Sequence, residues 1–279
     1  MIDQSNKRLP KYVYHYTKTS TLFYLLDTRH QIICKNEAKD QYSCKPSDSW
    51  FEFHATDIDF LNDRTEYREA KNFLKQVKES HADALFLKAL DGIPFVLSFS
   101  TKRDYLPMWR MYADVGHGIC LKFNTQKLVA AIENTKLNPC QGSKYGLCEY
   151  TMPSLFKERI RELKGLYKEP KRWEGSMKLM GSLSELNKSA ALLKDSAFEP
   201  EQEWRAVFFD TDYCFKARSN VFVAYKPIKI PVSCLEEIRL GPCSSTNAYN
   251  TIIKWVEPIN QSTCKFEIKV SKSKIPYQS

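Results

Sequence analysis

Glycine is scarce in this chain. Only 9 of its 279 residues are Gly. Neither GxGxxG nor GxxxxGK(S/T) can be read anywhere, so a glycine loop cradling phosphates is excluded. Long apolar runs are also missing. Nothing approaches the ~18 residues that a membrane helix needs, and no membrane association is expected. The first residues, MIDQSNKRLPKYVYHY, carry no apolar export segment. The 9 cysteines are scattered, with no CxxC pair. Cysteines used this way, without an export signal, predict reduced thiols and a cytoplasmic location. Tight Cys/His spacing is absent too, so no metal is expected. No internal repeat and no Pro-, Gly- or Ser-rich linker divides the chain. A single domain over residues 1–279 is therefore expected, with a basic helical insert around 154–195.

The apolar fraction is 43% and the charged fraction 27%, values of a chain that folds. Aromatics reach 13%, which favours strands and pocket walls. The formal net charge is +9. Such a balance favours acidic partners, among them nucleic acid and phosphorylated ligands.

Strands are predicted at Lys11–Thr17, Pro94–Ser100, Ile119–Phe123, Glu203–Phe209, Val221–Tyr225, Glu237–Leu240 and Phe266–Val270, and Trp50–Phe53 is a short apolar run. Helices are predicted at Thr17–Asp27, Asp63–Glu79, Leu106–Tyr112, Leu128–Glu133, Phe156–Lys194 and Ser245–Val256. Gly116 and Gly118 read as a turn, and Gly241-Pro242 as a strand stop. This mixed order has few regular βαβ units and predicts an α+β fold.

Three features carry potential chemistry. His15 lies in the run Tyr14-His15-Tyr16-Thr17, where alternation sends it to the face opposite Tyr14 and Tyr16. A buried core histidine is the plainer explanation there. Ser98-Phe99-Ser100 ends a strand, and Met108-Trp109-Arg110-Met111-Tyr112 then presents large rings. Such rings stack on a planar ligand, or simply fill a core. In Glu201-Gln202-Glu203-Trp204-Arg205, a strand reading puts Glu201, Glu203 and Arg205 on one face. Paired carboxylates there line either a solvated edge or a polar cleft in which one stabilises a developing cation. Between Lys157 and Lys194 stand ten Lys/Arg against five Glu, with Tyr167 and Trp173 interleaved. That pattern suits either a solvated helix face or a nucleic-acid surface built from Lys157, Arg159, Arg161, Lys164, Lys171 and Arg172.

Taken in order, these motifs resemble a bacterial family of unknown function. Its marks are Tyr-His-Tyr-Thr, Leu-Asn-Asp-x-x-Glu, Phe-Ser followed by Met-Trp-x-x-Tyr, Glu-x-Glu-x-Arg and Leu-Gly-Pro. Here they are Tyr14–Thr17, Leu61–Glu66, Phe99–Tyr112, Glu201–Arg205 and Leu240–Pro242. The family in turn resembles the ADP-ribosyltransferases. That resemblance implies a split mixed β-sheet enclosing an NAD cleft, with flanking helices, and NAD as co-substrate. His15, Tyr16, Thr17, Ser98, Ser100, Trp109 and Tyr112 would bind NAD, with Tyr112 stacked on nicotinamide. Glu203 would be catalytic, and Glu201 would orient the acceptor. Arg205 and the six cations above would hold a nucleic-acid acceptor, RNA or DNA. The resemblance further implies a toxin or anti-phage effector with a neutralising antitoxin or chaperone partner.

Two other readings compete. A protein acceptor is one. The other is a nucleic-acid-binding protein or nuclease without NAD chemistry, for which His15, His54, Asp57 and Asp63 would be metal ligands, though their spacing matches no metal motif.

Overall fold

The computed structural model describes residues 9–25, 50–61, 67, 93–135, 142–150, 188–218, 220–261 and 267–278. They form a mixed α+β fold of ten strands, mostly antiparallel, and four α-helices among the described residues. The chain divides into two compact units. The first comprises Met1–Phe53, Ser98–Thr135 and Ile228–Ser279, and the second His54–Leu97 and Lys136–Pro227. Strands β2 (Trp50–Asp57), β3 (Ile93–Ser100) and β8 (Val221–Pro231) each run from one unit into the other.

In the first unit the strand order is β10–β9–β4–β1–β3. Here β1 is Tyr12–Thr17, β4 Ile119–Asn124, β9 Leu235–Leu240 and β10 Lys269–Lys272. All neighbours are antiparallel except β10, which runs parallel to β9. The register sets His15 opposite Leu121 and Tyr16 opposite Cys120. One face of this sheet is apolar, with Val13, Leu121, Phe123, Ile238 and Leu240 fully buried. The other carries Tyr14, Tyr16 and Cys120, against which helix α2 (Leu106–Tyr112) packs Met108 and Trp109. Helix α1 spans Thr19–Leu25.

Helix α3 (Thr125–Glu133) starts earlier than its apolar stripe predicts, because the Asn124 side chain accepts from the Lys127 N–H at 3.2 Å. Helix α4 (Thr246–Gln261) runs past its expected end at Val256 and buries Ile252, Val256 and Ile259 along one stripe. Its Asn260 exchanges two hydrogen bonds with the Ile268 backbone, at 2.9 and 2.8 Å. The closing strand therefore begins only at Lys269, not at Phe266 as predicted.

The loop from α2 into β4 is tight. A Cβ on Gly118 would overlap the Thr17 carbonyl oxygen, and one on Gly241 the Gly116 carbonyl. Backbone bonds from Gly241 to Gly118 (2.9 Å) and from Cys243 to Gly116 (3.0 Å) draw the segments together.

The second unit contains the antiparallel pairs β5–β6 and β7–β8, with β5 at Ser143–Leu147, β6 at Glu203–Asp210 and β7 at Cys214–Arg218. Thr56 and Asp57 of β2 pair there with Val96 and Phe95 of β3. Its core gathers Ile58, Val96, Ala191, Leu192, Val207 and Phe209. Every residue of β6 is buried. Strands β5 and β7, five residues each, are absent from the predicted set. Of the predicted helix Asp63–Glu79 only Tyr67 is described. Its φ of 62° is left-handed, so the helix does not run through it. The predicted helix ending at Lys194 also needs correction. Residues 188–190 are helical, but Glu149 then pairs with Leu192 and Lys194 backbone groups at 2.9 and 3.1 Å.

Candidate functional site

The carboxylates singled out in the sequence lie in the second unit. Asp195 caps the short 3-10 segment Ser196–Glu201, its Oδ1 accepting from the Ala197 N–H at 2.8 Å. Gln202 follows with a left-handed φ of 45°, and β6 begins at Glu203. Glu201 is thus not on the strand with Glu203 and Arg205, as alternation predicts. The turn at Gln202 nevertheless brings both carboxylates to one cation. Lys194 Nζ donates to Glu201 Oε2 at 2.6 Å and to Glu203 Oε2 at 2.7 Å.

Arg205 grips Glu203 with two more bonds, Nε to Oε1 at 2.9 Å and a terminal nitrogen to Oε2 at 3.0 Å. Its other terminal nitrogen donates to the Ala191 carbonyl at 3.0 Å. Arg205 is fully buried, so it positions Glu203. Tyr150 Oη accepts the Glu203 backbone N–H at 2.6 Å.

Burial alone would raise the Glu203 pKa. Arg205 and then Lys194 outweigh it and pull the value down to about 2. Burial acts against the Lys194 ammonium, but Glu203 and Glu201 push its pKa up. At neutral pH the site is a fixed, ionised carboxylate. It accepts hydrogen bonds and stabilises nearby positive charge, and it does not donate protons.

The residues singled out for a dinucleotide lie in the first unit, on both faces of β1. His15 Nδ1–H donates to the Ser98 carbonyl at 3.0 Å. Its ring meets Phe53 and Phe99 edge-on, with centroids at 5.3 and 5.7 Å. Burial lowers its pKa, and the Ser98 bond offsets part of that. The neutral ring that results presents Nε2 as an acceptor. Tyr16 lies on the opposite face, as alternation predicts, edge-on to Trp109 at 5.0 Å. Its hydroxyl donates to the Lys102 carbonyl at 2.8 Å and accepts from the Tyr105 N–H at 3.3 Å. Trp109 is completely buried, with its indole N–H on Asp104 at 2.8 Å. Tyr112 is partly buried against the same cluster. Ser100 Oγ accepts from the Lys102 N–H at 3.0 Å, and Thr17 abuts Gly118. Tyr16, Trp109 and Tyr112 are thus brought together, and His15 is held apart from them by the strand itself.

Sequence reading missed two groups. One is Lys194, whose role depends on a turn seven residues long. The other is a polar network in the first unit. There Arg239 bridges Glu237 (2.8 Å) and Asp104 (3.1 Å), and Arg103 reaches Glu237 at 3.4 Å. Ser271 and Ser273 donate to Glu237 and Asp104, at 2.5 and 2.8 Å. Burial opposes ionisation of Glu237, but Ser271 and Arg239 prevail and lower its pKa. Glu237-x-Arg239 repeats the Glu203-x-Arg205 spacing, a signal that was available in the sequence.

His54 stacks on Tyr225 at 4.0 Å, and Asp57 caps the Asp59 N–H at 3.0 Å. Asp63 lies outside the described residues, as do Lys157, Arg159, Arg161, Lys164, Lys171 and Arg172. Among the described residues no cluster of three or more His, Cys, Asp or Glu could hold a metal. Among them, too, no helix is long and apolar enough to cross a membrane.

Residues 108–206 match the model of a family described as a protein of unknown function (DUF2971). The match takes in both the Met108–Tyr112 block and the Glu201–Arg205 block. No curated protein and no solved structure matches the chain.

Proposed function

We propose that this chain is an ADP-ribosyltransferase that consumes NAD and modifies a macromolecule, with nucleic acid as the acceptor. The observation that carries the proposal is the convergence of Glu201 and Glu203 on Lys194, beside Arg205, which with Lys194 holds Glu203 ionised. NAD supplies the ADP-ribosyl group: its bond from C1′ to nicotinamide breaks, nicotinamide takes the electron pair, and an acceptor nucleophile bonds to C1′ and loses a proton. Glu203 accepts the 2′-hydroxyl of the nicotinamide ribose and stabilises the positive charge developing at C1′. A carboxylate has about four acceptor positions, and the three N–H bonds to Glu203 leave one. Glu201 orients the acceptor. His15 offers Nε2 to a ribose hydroxyl or to the nicotinamide amide. Tyr112, rather than the fully buried Trp109, stacks on nicotinamide. The split sheet around an NAD cleft, the effector role and a neutralising protein partner belong to the same proposal.

Incubation with labelled NAD and cell lysate tests it, followed by separate protease and nuclease digestion. Labelled product destroyed by nuclease is expected, and product destroyed only by protease would make the acceptor a protein. Glu203→Gln keeps the shape and removes the charge, so transfer should fall by ~10²–10³. Near-normal transfer in this variant, with Glu201→Gln inactive, would move the catalytic role to Glu201. The close pairing of Glu203 with Arg205 and Lys194 favours a second reading, in which the cluster is structural and the chain binds nucleic acid without NAD chemistry. Wild-type protein that releases no nicotinamide from NAD would decide for it.

A further inference from the structure

Lys216 of β7 sits among groups that suit a neutral amine better than an ammonium. The register sets Lys216 opposite Val223 and Cys214 opposite Tyr225. Facing residues share one side of a sheet, so Lys216, Val223 and Tyr225 lie together. Val223 is fully buried, and Lys216 is half-buried in an otherwise exposed strand. Strand β8 has β2 as its other neighbour. From β2, His54 stacks on Tyr225 with ring centroids 4.0 Å apart, and its Nδ1 lies 3.4 Å from Lys216 Nζ. Nζ is also 5.0 Å from the centre of the Tyr225 ring. All these residues belong to the second unit.

The charges nearby act in the same direction. The carboxylates just before β7, Asp210 and Asp212, both pair with Lys226, at 2.9 and 3.3 Å. Among the described residues no carboxylate forms an ion pair with Lys216. Arg218 stands two positions along the strand, on the same side and ~6.6 Å away by strand rise. Burial, and then the Arg218 charge, lower the Lys216 pKa. Desolvation and a neighbouring cation are the two means by which a lysine becomes a nucleophile toward carbonyl carbon. His54 adds an imidazole nitrogen placed to take the proton.

We propose that Lys216 is the amine of a second site, which binds a short phosphorylated aldehyde as an imine, with its phosphate on Arg218. The ammonium first passes a proton to His54 Nδ1. The nitrogen lone pair then bonds to the aldehyde carbon, and the carbonyl oxygen takes up a proton. That oxygen leaves as water while the C=N bond forms. Amine and aldehyde thus give imine and water, with no oxidant or reductant. The distance from Lys216 to Arg218 selects the ligand, since a short sugar phosphate spans it from aldehyde to phosphate. The side chains that form this site are distinct from His15, Glu201 and Glu203, so it stands whether or not the chain consumes NAD.

The test is incubation of the full chain with glyceraldehyde 3-phosphate and cyanoborohydride, whose hydride reduces an imine to a stable amine. Peptide mass spectrometry then locates the labelled lysines. Lys216 should be labelled well ahead of the exposed Lys229, which serves as an internal reference. His54→Gln should slow labelling of Lys216 by ~10²-fold, the loss of a general base, and leave Lys229 unchanged. Arg218→Gln should bring the rate with glyceraldehyde 3-phosphate down to the rate with unphosphorylated glyceraldehyde. His54 and Arg218 are both exposed, and thermal melting should confirm an unchanged fold. Labelling of wild-type Lys216 no faster than of Lys229 would overturn the proposal. So would labelling that His54→Gln leaves unchanged, or equal wild-type rates with the two aldehydes.

Discussion

Each unit carries a Glu-x-Arg pair on a strand with its Glu buried, and the two pairs are surrounded differently. In the second unit Glu203 is held by two cations, Arg205 and Lys194, and Lys194 also holds Glu201. In the first unit Glu237 shares Arg239 with Asp104, but hydroxyls and an indole supply many of the remaining donors. Arg103, on Glu237, is 56% exposed at its side chain. The spacing alone therefore defines no site. What distinguishes the pairs is how a second carboxylate reaches the shared cation: by a left-handed turn at Gln202 in one case, by the approach of Asp104 in the other.

Removing the shared cation should separate the two arrangements most strongly. Lys194→Met strips Glu201 and Glu203 of a common partner in a buried setting. Breaking such a pair costs ~3–5 kcal/mol. Arg239→Met should cost less, because Asp104 keeps Trp109 and Ser273 and Glu237 keeps Ser271. Urea unfolding of both variants measures the difference. Equal losses would mean that the hydroxyls and the indole contribute nothing to holding the charges. Crowding the first unit's backbone comes next in size. Gly241→Ala places a methyl against the Gly116 carbonyl, with backbone on both sides. Overpacking of this kind costs ~1–3 kcal/mol or more, and the same urea experiment would show an unchanged midpoint if the loop simply yields.

Acid should act on the two regions in sequence. The folded His15 has a pKa below the ordinary 6.5, so the unfolded chain takes up its proton first. Its contribution is complete above pH 6.5 and declines as pH falls below that. Glu203 is depressed from 4.5 to about 2, so its contribution is present above pH 4.5 and is lost as pH falls towards 2. Stability against pH should therefore fall in two stages. His15→Leu should flatten the upper stage and leave the lower one. A single fall below pH 4.5 in the wild type would show that His15 is not buried neutral.

Much of this frame was legible in the chain. Alternation placed His15 opposite Tyr16, and the aromatic runs marked most of the strands, because both depend on neighbours two residues apart. The helix boundaries and the turn before Glu203 depended on single side chains: Asn124 as a cap, Asn260 on Ile268, Gln202 in a left-handed conformation. Such features leave no periodic trace. Lys194 and Asp104 were invisible for a related reason. Each acts through a carboxylate or cation that folding brings to it, and the basic composition around Lys194 pointed to a solvated face instead. Strand β7 escaped notice because it is only five residues long.

The smallest effect concerns strain in the two turns. Asp114, Val115 and Gln202 are non-glycine residues with left-handed φ, at 51°, 51° and 45°. Val115 is the least suited to it, since a branched Cβ crowds the following carbonyl. It is also half exposed, so its side chain contributes little burial in return. Asn adopts this conformation with less penalty, and Val115→Asn should raise stability by about 1 kcal/mol. Gln202→Asn should gain less. Gln is unbranched, and the change removes the bond from its side chain to the Glu199 carbonyl at 3.1 Å. Matched thermal and urea unfolding of the two variants would measure the difference. A Val115→Asn protein no more stable than the wild type would mean that the loop before β4 carries no strain. The left-handed turn at Gln202 would then be the one that folding must hold in place, as expected of the turn that brings Glu201 to Lys194.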